Sequence, residues 1–264
     1  GWMLVGVLAC LTGVLILSLY IVVAGWGMAY AGSMYSGVFS AARAAEVGAH
    51  FEAFLAEPMP QVYWQSLFLL LTAGAVVLGV RRGLGMLAWL VVPVLFAMLG
   101  FLVKYGFDYG DIGATRNFLF STRLVDFSSR SVLVALGHAL FTLGVGVGTG
   151  ISYGAYAPQS VPIGRSIMAV AVFDTVIALL AGLAIFPIVF ANHMEPTAGP
   201  GLLFISLPYA FGNLMQGELV GAVFFVMMVL AALGSAVALM EPAVAMLMQQ
   251  ARLSRFTAAL IVGA

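Results

Sequence analysis

Apolar residues run almost unbroken through most of this chain, and the polar positions between them fall into a few short clusters. Runs of the roughly 20 apolar residues that a helix needs to cross a bilayer recur at about residues 2–31, 62–80, 84–105, 132–156, 166–192 and 219–248. A shorter run at 256–264 reads as the start of another. Strands of alternating polarity are absent, so the expected class is all-α, a polytopic membrane protein with one transmembrane domain over residues 1–264.

The connectors differ in length and charge. Between Gly32 and Gln61, Arg43, Glu46, His50, Glu52 and Glu57 are interspersed with Phe39, Phe51, Phe54 and Leu55, which fits an amphipathic surface helix with a solvated face. His50 has an ordinary place on that helix. Arg81, Arg82 and Gly83 form a tight hairpin, and Pro93 in the following span invites a kink. Phe107 to Arg130 reads as an aqueous loop, and His193 to Gly217, interrupted by Pro200 and Pro208, as a folded outer loop. Arg81, Arg82, Arg165, Arg252 and Arg255 occupy short connectors without an acid, which makes those connectors cytoplasmic. The first span then runs inside to outside, and the span at 132–156 outside to inside.

That span is unusual. It reads SVLVALGHALFTLGVGVGTGISYGAYAP from Ser131 to Pro158, with glycines at 144, 146, 148 and 150. Each glycine disfavours a helix by roughly 1 kcal/mol relative to alanine, so an unwound stretch between two half-helices is expected. Unwound backbone at membrane depth persists only where it lines a cavity or holds a ligand, which marks this stretch as the candidate ligand site. Close helix packing on small residues is the alternative. Neither register of a GxGxxG nucleotide loop closes, because Thr149 and Ile151 stand at the third-glycine positions. Gly150-Ile151-Ser152-Tyr153-Gly154 matches a GxSxG nucleophile pattern, but inside an apolar span rather than on a strand-to-helix elbow.

Two polar groups stand out within the spans. An acid in a membrane segment costs at least ~2.5 kcal/mol, so Asp174 is a functional candidate unless it faces water near a helix end. His138 reads as a satisfied interhelical hydrogen bond. Tyr20 and Trp26 lie in the outer half of the first span, and a buried tyrosine hydroxyl needs a partner, either another helix or a substrate. In the sixth span, Ala231, Ala232, Gly234, Ser235, Ala236 and Ala238 let a neighbouring helix approach closely.

Composition sharpens the class. Hydrophobic residues make up 63% of the chain and charged ones 8%, far from soluble domains. The net charge is zero and no basic run exists, which argues against a nucleic-acid partner and leaves the lipid bilayer as the surroundings. Cys10 is the single cysteine, so no internal disulfide or cysteine metal pair can form. The abrupt apolar ends suggest a fragment of a transporter-sized protein.

With these elements in view, the chain resembles the neurotransmitter:sodium symporter family, particularly its bacterial amino-acid transporters. The resemblance is carried by SLYIVVAGWGMAY, GHALFTLGVGVG followed by SYGAYAP, FDTVIALLAGLAIFP, GPGLLFISLPYAF and LAALGSAVALMEP. It implies an inverted-repeat fold with a broken helix at the substrate site, and a chain covering helices three to eight and the start of nine. It further implies that Tyr20 bonds the substrate carboxylate, that Phe141 is the aromatic lid, and that Ile16, Thr142, Gly144, Val147, Ser235 and Leu239 line the pocket. Thr142 and Asp174 would ligate a first sodium; the Ala231 carbonyl and the Ser235 hydroxyl would ligate a second. Departures are Gly234 where many members have a hydroxyl ligand, Asp174 for an asparagine, Ala178 where one bacterial type has a glutamate, and His138 for a glutamine near the chloride position. Gly83 and Pro93 fit the family spacing that lets helix five unwind, with Gly85-Met86 replacing a charged pair.

The resemblance therefore implies a sodium-coupled symporter of amino acids or small amines, not an enzyme, in a cell membrane, the inner membrane in a bacterium. Two sodium ions are expected and chloride is not required. The roomy Gly144 and Val147 positions favour large substrates. A proton-coupled transporter of the same fold, and an intramembrane serine hydrolase using Ser152 with His138, are the competing readings.

Overall fold

The computed structural model describes residues 2–121, 127–194 and 199–264, and every regular element among them is helical. Helix α1 (Trp2–Tyr35) has apolar residues on all faces. At about 1.5 Å per residue it is longer than the roughly 30 Å hydrocarbon layer. Helix α2 (Ala44–Ala56) buries Val47 and Phe51 and leaves Glu46, Glu52 and Glu57 exposed, the amphipathic arrangement expected of it. His50 is half-buried there, edge-on to Tyr30 and Phe39, and burial pushes its imidazole pKa down. Helix α3 (Pro58–Val77) begins at a proline, whose missing N–H is not needed in a first turn.

A π-helical turn, Val80–Leu84, leads into α4 (Gly85–Tyr109), which contains Pro93. The next stretch departs from the expected loop. Helix α5 (Ile112–Phe120) forms because Asp111 caps it, accepting from the Ala114 N–H at 2.8 Å. Phe118 then anchors it against Phe186 and Phe190. Arg123 and Asp126 of the expected loop lie outside the described residues.

Two half-helices, α6 (Ser129–Thr142) and α7 (Thr149–Tyr156), precede α8 (Ile163–Ala191). The expected outer loop at 193–217 is also partly helical: a π turn at Leu202–Ser206 continues into α9 (Leu207–Gly212). Its apolar residues Phe204, Leu207 and Phe211 are buried, so hydrophobic burial rather than span length explains this segment. Residues 195–198 of that loop lie outside the described residues. Helices α10 (Gly217–Gln250) and α11 (Arg255–Gly263) complete the described chain.

Helix α10 is central, packing on α1, α3, α4 and α11, while α8 packs mainly on α4. One core gathers Tyr30, Phe39, Phe51, Phe204, Phe211 and Phe225. A second gathers Leu17, Ile21, Phe68, Val76, Ala236 and Met240. Small buried residues, Ala232 and Ala236, let α10 sit close to its neighbours. By contrast, α6 buries none of its residues.

Candidate functional site

The break lies between Thr142 and Thr149, and its cause is local. Gly144, Gly146 and Gly148 have φ of +66°, +90° and +81°, a region open to glycine and strained for other residues. Gly150, expected in the unwound stretch, instead sits inside α7. The Leu143 and Val145 amides still bond to Ala139 and Leu140, so α6 ends gradually. Thr149 Oγ1 donates to the Gly144 carbonyl at 3.3 Å and ties the two sides of the break together.

Several expected site residues converge here. Thr142, at the last turn of α6, donates its hydroxyl to Asp174 Oδ2 of α8 at 3.2 Å. The same hydroxyl lies 3.3 Å from the Ala139 carbonyl. Two oxygens on different helices thus meet at the edge of the unwound segment, a donor set that suits a hard cation. Phe141 beside them is 65% exposed. On α1, Ile16 and Tyr20 share a face, four residues apart, and Tyr20 stands beside Ser235 of α10. The Ser235 hydroxyl donates to the Ala231 carbonyl at 3.4 Å. Val147 is buried, and its carbonyl and that of Leu239 both face α1 at Gly13.

Ala231, Gly234 and Ser235 form one wall of a cavity of about 310 Å³ between α4, α7 and α10, with Leu84, Val91 and Tyr153 opposite. A Cβ added at Gly234 would meet no heavy atom within 4 Å, so space for a side chain exists there. Gly83 lies in the π turn ahead of α4, where the Ala75 carbonyl comes too close for any Cβ. The helix therefore departs from α geometry at the glycine of the Gly–Pro pair.

Other expectations are not met. His138 is exposed and has no hydrogen bond among the described residues, on a helix that buries none of its residues. It has no bond to Ser152, which instead lines a different cavity of about 260 Å³ with Cys10 and Gln249.

One network was not anticipated. Glu241 of α10 is only 2% exposed, accepts from the Tyr156 hydroxyl at 2.8 Å and pairs with Arg255. Arg255 Nε also donates to the Val76 carbonyl at 2.7 Å. Four helices are joined at this point. An acid within an apolar span is the same signal that singled out Asp174, so Glu241 could have been found by it.

A model of the sodium:neurotransmitter symporter family matches residues 56–263. The chain belongs to this family. Its long apolar helices, four of which among the described residues have the length and composition to cross a bilayer, make it a multi-pass membrane protein. It is 36% identical over 245 residues to YhdH of Bacillus subtilis, described as an uncharacterised sodium-dependent transporter. It is 32% identical over 137 residues, 48% of this chain and 22% of the relative, to sodium-dependent nutrient amino acid transporter 1 of Drosophila grimshawi. The crystal structure of MhsT in complex with L-phenylalanine superposes with a TM-score of 0.89 at 37% identity, over 100% of this chain and 60% of MhsT. The match to YhdH takes in 93% of this chain and 53% of the relative, so this symporter-family chain spans little more than half the length of YhdH.

Proposed function

We propose that this chain forms the greater part of a sodium-coupled amino-acid symporter that works by alternating access. The observation that carries the reading is the meeting of Thr142 and Asp174, 3.2 Å apart, at the end of a half-helix whose continuation is unwound. Sodium, carried as a co-substrate, enters between the hydroxyl and the carboxylate and replaces their hydrogen bond. The ion then joins α6 to α8, so its arrival and departure bias how these helices sit together. A second sodium takes the Ala231 carbonyl and the Ser235 hydroxyl, with Gly234 supplying no oxygen of its own.

Tyr20 donates to the substrate carboxylate, and Phe141 closes over the site. Ile16, Gly144, Val147 and Leu239 shape the side-chain pocket. The Asp174 carboxylate supplies the fixed negative charge beside the first sodium, so transport needs no chloride. The working place is the cell membrane, the inner membrane in a bacterium. That the Drosophila relative is named an amino-acid transporter and MhsT holds L-phenylalanine supports the substrate class.

The missing side chain at Gly144 and the modest one at Val147, as pocket positions, favour a substrate with a large side chain. In a competition series on the native gene product, tryptophan, phenylalanine or leucine should displace a bound amino acid far better than glycine or alanine. Equal displacement by glycine would remove the case for a roomy pocket.

A further inference from the structure

The inner edge of the break is held by contacts that no side chain can relax. A Cβ added at Gly13 of α1 would stand 2.9 Å from the Val147 carbonyl oxygen and 3.5 Å from that of Leu239. Both atoms are backbone, one in the break and one in α10, so neither can turn aside as a flexible side chain would. Gly148, the residue after Val147, is more loosely enclosed by the same two helices. A Cβ there would lie 3.2 Å from Pro242 Cβ of α10 and 3.6 Å from the Ala9 carbonyl carbon of α1. Ala9 and Gly13 lie one turn apart on α1, and Leu239 and Pro242 one turn apart on α10. The peptide from Val147 to Gly148 is therefore gripped between the two helices that pack most extensively in this chain. The grip is confined to this peptide. Gly146, one residue before it, Gly150, two after it, and Gly6 on α1 would each meet no heavy atom within 4 Å.

We propose that Gly13 is a positioning residue that sets the depth of the substrate pocket by letting the Val147 backbone seat against α1. The inference rests on the reading of this chain as an amino-acid transporter and deepens it, naming a selectivity element outside the pocket lining. Ile16 and Tyr20 stand one and two turns above Gly13 on the same helix, so the seated Val147 peptide forms the floor beneath them. A methyl at position 13 forces that floor to move, because a close-packed interior has no slack to absorb it. A long substrate side chain reaches the floor and feels the shift. The side chain of alanine does not.

The test is Gly13→Ala in the native gene product, with Gly6→Ala as the control two turns earlier on the same helix, where an added Cβ meets no heavy atom within 4 Å. Uptake of L-phenylalanine and L-alanine is measured together with hydrogen exchange of the amides at 143–149. The expected result for Gly13→Ala is a fall in the phenylalanine-to-alanine preference of at least about tenfold, the discrimination that one methylene commands in a packed pocket. Exchange at 144–149 should quicken, and Gly6→Ala should change neither. A folded Gly13→Ala protein with an unchanged preference and unchanged exchange overturns the proposal. If the unaltered protein transports neither amino acid, the transporter reading fails, and exchange alone then judges whether Gly13 holds the floor. If Gly13→Ala does not fold, Pro242→Ala opens the opposite side of the grip. Faster exchange at 144–149 in that variant supports the clamp, and unchanged exchange rejects it.

Discussion

Tyr20 and Ser235 illustrate how single polar groups are handled inside this apolar chain. A tyrosine hydroxyl in an apolar site needs a partner, and Ser235 of α10, whose own hydroxyl donates to the Ala231 carbonyl at 3.4 Å, is the polar side chain beside Tyr20. A substrate carboxylate is a better acceptor because it is charged. Tyr20→Phe should therefore weaken amino-acid binding about ten- to a hundredfold, since a hydrogen bond to a charged group is worth roughly 1.5–3 kcal/mol. Equilibrium binding of labelled phenylalanine checks this, and unchanged affinity would make the tyrosine a packing residue. At this scale Tyr20, Asp174 and Ser235 stood out in the sequence as polar or small residues within apolar spans, whereas Thr142 and Val147 were named only through the family resemblance. Gly13 did not stand out, because a glycine in an apolar helix carries no signal until the Val147 and Leu239 carbonyls are seen against it.

The elements follow from the same balance of burial and backbone hydrogen bonding. The break forms because three alternate glycines with positive φ make the helix dispensable there. That could be read from spacing alone. Helix α5 could not, since its stability comes from the Asp111 cap and the distant Phe186 and Phe190, and a short polar-flanked stretch looks like a loop without them. The two π turns, Val80–Leu84 and Leu202–Ser206, also escaped, because an apolar run of residues looks the same whether its turns are α or π. The joint between α7, α3, α10 and α11 at Glu241 makes a further prediction. Arg255 is the cation beside a carboxylate that is 2% exposed. Removing it leaves that charge uncompensated, so Arg255→Met should destabilise the protein by about 3–5 kcal/mol. The double variant Arg255→Met with Glu241→Gln should recover much of the loss, as thermal unfolding in detergent would show. Equal losses in both would mean that the pair contributes packing alone.

At the scale of the whole molecule, the chain is organised around α1 and α10, with α4 and α8 beside them and the broken helix at their edge. The helices were visible in the runs of apolar residues, because a bilayer requires about 20 such residues per span and leaves few other ways to satisfy a backbone. The surroundings of α6 were not visible. All its residues are exposed in this chain, which matches 53% of the length of YhdH and 60% of that of MhsT. The central claim is that ion and substrate movement are coupled through the oxygens of Thr142 and Asp174. It is tested most directly by uptake of labelled phenylalanine into proteoliposomes of the native gene product, with gluconate as the only anion. An inward sodium gradient should drive accumulation that choline cannot support, and Asp174→Asn should abolish it or make it depend on added chloride. Uptake that is the same in sodium and choline, or an Asp174→Asn protein that accumulates phenylalanine normally in gluconate, would contradict the account.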